Sequence, residues 1–273
     1  MNRPSPLSRS LLALPGALLI VWLVLPLVPL VIWSFAHGWR FPDILPQEWT
    51  LAAWDHALSA QSGVLESLGV TVLIGCLVTA LSVVVGVPAG RALGLYRFRG
   101  KGLVEAVILA PLIVPGIAVA LGLHGVFIHL GLANTLAGVV LVHLIPTLPY
   151  MVLVMAGIFA RLDPAFEDQA RSLGASVWQT FRHVTLPAIL PGLIVGSLFA
   201  FLVSWSQYAL TLVIGGGRVI TLPILLFNFA AAGRNDLTGA IGIIYVLPGV
   251  VILLFTARHL TGTSAALGGV GRQ

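Results

Sequence analysis

The sequence predicts an all-α membrane protein with six transmembrane helices and both termini in the cytoplasm. Three observations predict it. Only 8% of the 273 residues are charged, whereas 58% are hydrophobic; soluble domains hold about 25% and about 45–50%. The apolar residues fall into six runs, each near the roughly 20 residues needed to cross a bilayer. The basic residues are divided unevenly between those runs. A chain this poor in charge cannot cover a water-facing surface, which excludes an ordinary soluble enzyme. A disordered chain would be polar or highly charged. The runs are continuous rather than alternating, which excludes barrel strands.

The first run, 11–35, follows Arg3 and Arg9 as a signal peptide would. It is too long for the apolar part of one, and no small-residue cleavage site follows, so an uncleaved helix is expected. The outer loop 36–66 carries Trp39, Trp49 and Trp54, which suit an interfacial belt or simply anchor the loop. The remaining spans are expected at 67–93, 103–128, 135–160, 190–214 and 237–257. Arg3, Arg9, Arg91, Arg97, Arg99, Lys101, Arg161, Arg171, Arg182, Arg258 and Arg272 then share one side, against Arg40, Arg218 and Arg234 on the other. Lys and Arg accumulate on the cytoplasmic side, which sets the orientation. The same distribution accounts for the net charge of +5 without nucleic acid, for which no contiguous basic patch exists.

Pro111 and Pro115 fall in the third span, Pro146 and Pro149 in the fourth, Pro248 in the sixth. Each removes an intrahelical hydrogen bond, which membrane helices tolerate where neighbours satisfy the freed carbonyl. Frequent glycines allow close helix contacts. No Asp, Glu, Lys or Arg lies in the middle of a span, which disfavours an ion-coupled secondary carrier or channel. No G-x-S-x-G or H-E-x-x-H occurs, which disfavours an intramembrane enzyme. The single cysteine, Cys76, has no partner for a disulfide or a metal site. His124 and His129 do not have metal-ligand spacing.

The loop between spans four and five, 160–192, is the informative one. Asp163-Pro164 marks a helix start. Phe166, Ala170 and Leu173 share a face, and Glu167 pairs with Arg171 four residues on. Gly174 suits the left-handed residue that ends a helix. Ser176 opens a second helix, about 176–182, with Gln179 completing a capping box. Leu186-Pro187 is expected to turn the chain, and Pro191-Gly192 to start span five. Two short helices with a glycine corner form either a docking surface, since their apolar groups lack another purpose, or a loop packed back on its own helix ends.

This loop resembles the EAA loop of permease subunits of binding-protein-dependent ABC importers. Asp168-Gln169-Ala170 stands at the EAA positions, Gly174 is the glycine after three intervening residues, and Val184-Thr185-Leu186-Pro187 stands at I-x-L-P after nine more. The chain departs from the pattern by Asp for Glu, Gln for Ala and Val for Ile. The likeness covers about 62–260, including LAPLIVPGIAVALGL, the GLANT turn at 131–135, and His143 ahead of PTLPY. Within the family it is closest to the polyamine, opine, phosphonate and thiamine-type permeases, although SWSQYALT at 204–211 lacks the carboxylates of polyamine members.

The resemblance implies a MetI-like permease core at 62–260, after an N-terminal helix and outer loop at 1–61 and before a cytoplasmic tail at 261–273. It implies half of a solute pathway in a bacterial inner membrane. It further implies a second permease subunit, identical or paralogous, two ABC ATPase subunits and a periplasmic solute-binding protein. The chain itself would hold no cofactor and catalyse nothing, ATP and Mg being held by the ATPase. The ATPase-coupling residues would be Glu167, Asp168, Gln169, Ala170, Gly174, Ala175, Trp178, Phe181, Arg182, Leu186 and Pro187. Polar residues within spans should face the bundle interior. The candidate pathway residues are therefore His143, Ser204, Trp205, Gln207, Tyr208, Thr211 and Asn228, with Ser204, Tyr208 and Thr211 forming a polar stripe. Each could equally be a hydrogen-bonding contact between helices.

Overall fold

The computed structural model describes residues 15–16, 18–19, 21–39 and 42–267, with side chains to 251. The start of the first predicted span, Arg3, Arg9, Arg40, Arg272 and the side chain of Arg258 lie outside the described residues. In chain order the helices are α1 (Leu27–Ser34), α2 (Ala52–Leu58), α3 (Val64–Leu95), α4 (Lys101–Ile113), α5 (Gly116–His129) and α6 (Leu136–Phe159). They continue with α7 (Ala165–Ser172), α8 (Val177–Thr180), α9 (Leu186–Trp205), α10 (Ala209–Gly215), α11 (Leu222–Ala231) and α12 (Asn235–Leu267). The chain divides into two compact units, Met1–Leu65 with Leu225–Gln273, and Glu66–Ile224.

In the first unit α1 lies on α12. A Cβ at Gly239 would stand 2.5 Å from the Leu30 carbonyl oxygen and 2.7 Å from the Ser34 nitrogen, so only glycine permits this backbone approach. After α1 a short antiparallel hairpin pairs Ala36 with Trp49 and His37 with Glu48. Trp33 meets Trp39, and Phe35 meets Trp54, each with ring centroids 5.8 Å apart. The tryptophans of this segment thus divide. Trp39 also donates to the Asp43 carbonyl, whereas Trp49 is exposed.

The second unit is built on α6, which buries residues along its whole length. Gly86, Gly90 and Gly94 of α3 face Met151, Met155 and Phe159 of α6, and Gly192 and Gly196 of α9 face Ile158 and Met151. Glycines four residues apart form a flat stripe, so α6 carries the bulky side chains and its neighbours supply the grooves. Met151, Met155, Phe159 and Ile189 form the resulting buried cluster.

Among the described residues three helices, Val64–Leu95, Leu136–Phe159 and Val177–Trp205, are long and apolar enough to cross a membrane, or four if the bent pair Lys101–Ile113 and Gly116–His129 counts as one span. Three expectations require correction. The third predicted span is not one helix: α4 and α5 meet at 106°. Pro115 has no N–H to continue the ladder, and it pushes Val114 out of the helical region to φ −79°, ψ 129°. The fifth is broken too, with α9 ending at Trp205 and α10 starting at Ala209. Leu186-Pro187 does not turn the chain. A π-wound stretch, Phe181–Thr185, joins α8 to α9, and the Leu186 N–H reaches back five residues to the Phe181 carbonyl. The wider turn makes room for the Pro187 ring, so the second loop helix runs straight into span five.

Candidate functional site

The loop between α6 and α9 is set by its caps. Asp163 Oδ1 accepts the Ala165 N–H at 3.0 Å and starts α7. At its other end Gly174 has φ +84°, the Gly174 N–H reaches the Arg171 carbonyl, and the Ala175 N–H reaches the Ala170 carbonyl. This bond pair ends a helix on a left-handed residue. Ser176 then caps α8: its hydroxyl accepts the Gln179 N–H at 3.2 Å, and Gln179 Oε1 accepts the Ser176 N–H at 2.8 Å.

The two helices are sided. Inward, Glu167 is 5% exposed. Arg91 of α3 donates to both its oxygens, at 2.9 and 2.6 Å. Thr185 donates to Oε1 at 2.6 Å, and Arg171 stands at 3.8 Å. The Arg91 hydrogen bonds, then Thr185 and the nearby cations, outweigh burial and hold the Glu167 carboxyl below the usual carboxylate range. Outward, Asp168, Gln169, Arg182 and Pro187 are exposed, and Ala170, Ala175, Phe181 and Leu186 are half-buried. Phe166, Leu173, Val177 and Trp178 also stay in the open, Leu173 at 89%. Trp178 stacks on Phe181 with centroids 5.8 Å apart. The carboxylate that the loop uses inside its own chain is therefore Glu167, while Asp168 faces out. Sequence reasoning placed Glu167 beside Arg171 and missed Arg91 and Thr185.

The candidate pathway residues do not form one stripe, because the helix that would carry it is interrupted. Ser204 precedes the break and Thr211 follows it, and both bind one imidazole. His143 Nδ1 lies 3.0 Å from Ser204 Oγ and Nε2 lies 2.8 Å from Thr211 Oγ1. Thr211 gives its proton to the Gln207 carbonyl, so it accepts from Nε2–H, and Nδ1 meets the Ser204 hydroxyl. The chain continues: Thr147 donates to the His143 carbonyl at 2.9 Å, and Ser82 lies 3.3 Å from the Thr147 hydroxyl. Ser82, His143, Thr147, Ser204 and Thr211 are all buried. Sequence reasoning missed Ser82 and Thr147. Thr147's only signal was its place one helical turn beyond His143.

At the break itself Ser206 and Gln207 side chains both donate to the Val203 carbonyl, which satisfies a group that the broken helix frees. Trp205 is buried against Phe201 at 5.7 Å, Tyr208 is half-buried, and Asn228 is exposed on α11. Among the described residues no three His, Cys, Asp or Glu side chains converge as a metal site would require.

Residues 86–262 match the model of the family described as binding-protein-dependent transport system inner membrane component. The chain is 28% identical over 254 residues to the putrescine transport system permease protein of Escherichia coli K12, covering 88% of this chain and 86% of that one. A putative 2-aminoethylphosphonate transport system permease protein of Salmonella paratyphi A is 27% identical over 253 residues, with 92% and 93% covered. The trehalose transport system permease protein of Mycobacterium tuberculosis is 29% identical over 215 residues, with 76% and 77% covered. Among solved structures, a chain of a bacterial ABC transporter that imports the acidic polysaccharide alginate superimposes with TM-score 0.70 at 19% identity. That alignment covers 94% of this chain and 99% of the other.

Proposed function

This chain belongs to the family of binding-protein-dependent transport system inner membrane components, and on that premise we propose that 160–192 is its docking site for the ATPase. Members of the family are membrane subunits of ABC importers, coupled to a separate ATPase, and this chain is such a permease subunit. One observation carries the docking reading: Asp168, Leu173, Val177 and Trp178 are exposed on a segment that is clasped internally through Glu167 and continues into the helix ending at Trp205. A surface held this firmly, with apolar groups left in water, suits a protein partner. A push on α8 would travel along one helix into the membrane, where a flexible loop would absorb it.

In this proposal the chain holds no nucleotide. ATP and Mg sit on two ATPase subunits below it, and a second permease subunit completes the pathway. A soluble receptor delivers the solute from the other side. Six spans with cytoplasmic termini agree with the distribution of Lys and Arg. His143, Ser204 and Thr211 hold the frame of the broken span, while Gln207 and Tyr208, on its unwound residues, are the candidate solute contacts. The test is capture of the importer's own ATPase by the purified permease in detergent. Trp178→Ala and Leu173→Ser are expected to lower capture at unchanged permease yield; undiminished capture by both would refute the docking reading.

A further inference from the structure

The Arg91–Glu167 pair joins parts of the chain 76 residues apart. Arg91 lies four residues before the end of α3. Its guanidinium also stands over the ring of Phe159, the last residue of α6, 5.5 Å from the centroid. Glu167 is on α7, and Thr185 is the last residue of the π-wound stretch that roots α9. One carboxylate on α7 therefore binds the end of α3 and the root of α9, with α6 alongside. A bidentate guanidinium–carboxylate pair fixes orientation as well as distance. A buried pair of this kind adds little stability over well-packed apolar residues, so directional connection is the property that distinguishes it. Without the pair, nothing would tie α7 to α3 through Glu167; α7 would keep the Thr185 hydrogen bond and its packing on the π-wound stretch, and could pivot at 160–164 and at Gly174.

We propose that the Arg91–Glu167–Thr185 clasp makes α3, α7 and the root of α9 move as one body, with Arg91 and Thr185 as positioning residues for coupling. A displacement imposed on the loop then reaches two spans at once: through the helix into α9, and through the carboxylate into α3. The inference rests on the docking reading above. Failure of that reading would appear as undiminished ATPase capture by the loop variants, whereas failure of the clasp appears in distances inside this chain.

Cys76 is the sole cysteine and lies exposed on α3, so one spin label needs no further substitution. The second goes on the exposed end of α7 as Ser172→Cys, in the complete transporter with its ATPase. With the clasp intact, the distance between the labels should be the same without nucleotide and with ATP trapped by vanadate. Arg91→Gln, and separately Thr185→Val, should make it depend on nucleotide by about 2 Å or more, the scale of helix shifts in switching proteins. Thr185→Ser should restore invariance, which a general loss of packing would not do. Thr185→Val removes a single hydroxyl and carries the test alone if Arg91→Gln prevents assembly. The proposal is overturned if nucleotide shifts the distance that much in the intact clasp, or if the distance stays invariant in the variants that assemble.

Discussion

Replacing Gly174 should impair coupling in a graded order set by backbone strain alone. The residue sits at φ +84°, and a Cβ built on it meets nothing within 4 Å, so a methyl group there clashes with nothing in this chain. What remains is the cost of the left-handed conformation, about 1–2 kcal/mol for an ordinary L-residue. Asn adopts that region more readily than Ala, and β-branched Val less readily. A penalty of 1–2 kcal/mol changes the ratio between corner and non-corner geometries by a factor of about 5–30. It falls on the bonds from Gly174 to Arg171 and from Ala175 to Ala170, which set α8 against α7. The assay is ATP hydrolysis stimulated by loaded receptor in vesicles holding the complete importer, with permease content measured separately. The expected order is Gly174 > Gly174→Asn > Gly174→Ala > Gly174→Val, at equal permease content. A Gly174→Val importer as well stimulated as the unmodified one, or Asn below Val, would refute this reasoning.

The glycine stripe of α3 gives a second expectation. A Cβ on Gly94 would stand 2.7 Å from both the Ala156 carbonyl oxygen and Phe159 Cβ, so Gly94→Ala should cost about 1–3 kcal/mol through overpacking. Gly102→Ala, with nothing within 4 Å, should leave the detergent unfolding midpoint unmoved; equal midpoints for both variants would contradict the stripe. His143→Ala removes the imidazole that bonds Ser204 and Thr211 and opens a void, a loss of about 2–4 kcal/mol, readable as a lower midpoint, and an unchanged one would mean that the imidazole does not pin the break. Glu167 has its carboxyl depressed by Arg91, so the clasp's stabilisation is complete above the ordinary carboxylate range, about 4.3, and is lost as pH falls through the lower folded value. Amide exchange in Ala165–Ser172, corrected for intrinsic pH dependence, should therefore show constant protection from pH 8 to about 5; loss of protection above pH 5 would contradict the pair.

What could be read from the sequence was local. The helix start at Asp163, the corner at Gly174 and the reciprocal Ser176–Gln179 cap each involve residues a few positions apart, and such signals are written in the chain. The clasp was not legible, because Arg91 at a helix end and Glu167 four residues from Arg171 each already had a sufficient local explanation. Pro187 misled for a related reason. Proline next to a leucine at the loop's end reads as a turn, and only the π winding upstream allows the helix to continue. The break after Trp205 carries neither glycine nor proline: SQY at 206–208 has no helix-breaking signal of its own. The interruption is held from outside by His143 on another helix, so a periodicity argument across 204–211 assumed a continuity that tertiary contacts remove. At Pro115 the breaker was visible, but continuous hydropathy on both sides concealed a 106° bend.

The central claim is that the importer's ATPase meets this chain at the outward face of α7 and α8. A photoreactive amino acid placed at Trp178, 66% exposed, and separately at Ile44, 89% exposed in the hairpin segment, examines that claim in the assembled importer. The expected result is a crosslink from position 178 to the ATPase and none from position 44. An assembled, hydrolysing importer in which 178 fails to crosslink, or in which 44 crosslinks to the ATPase instead, would contradict it.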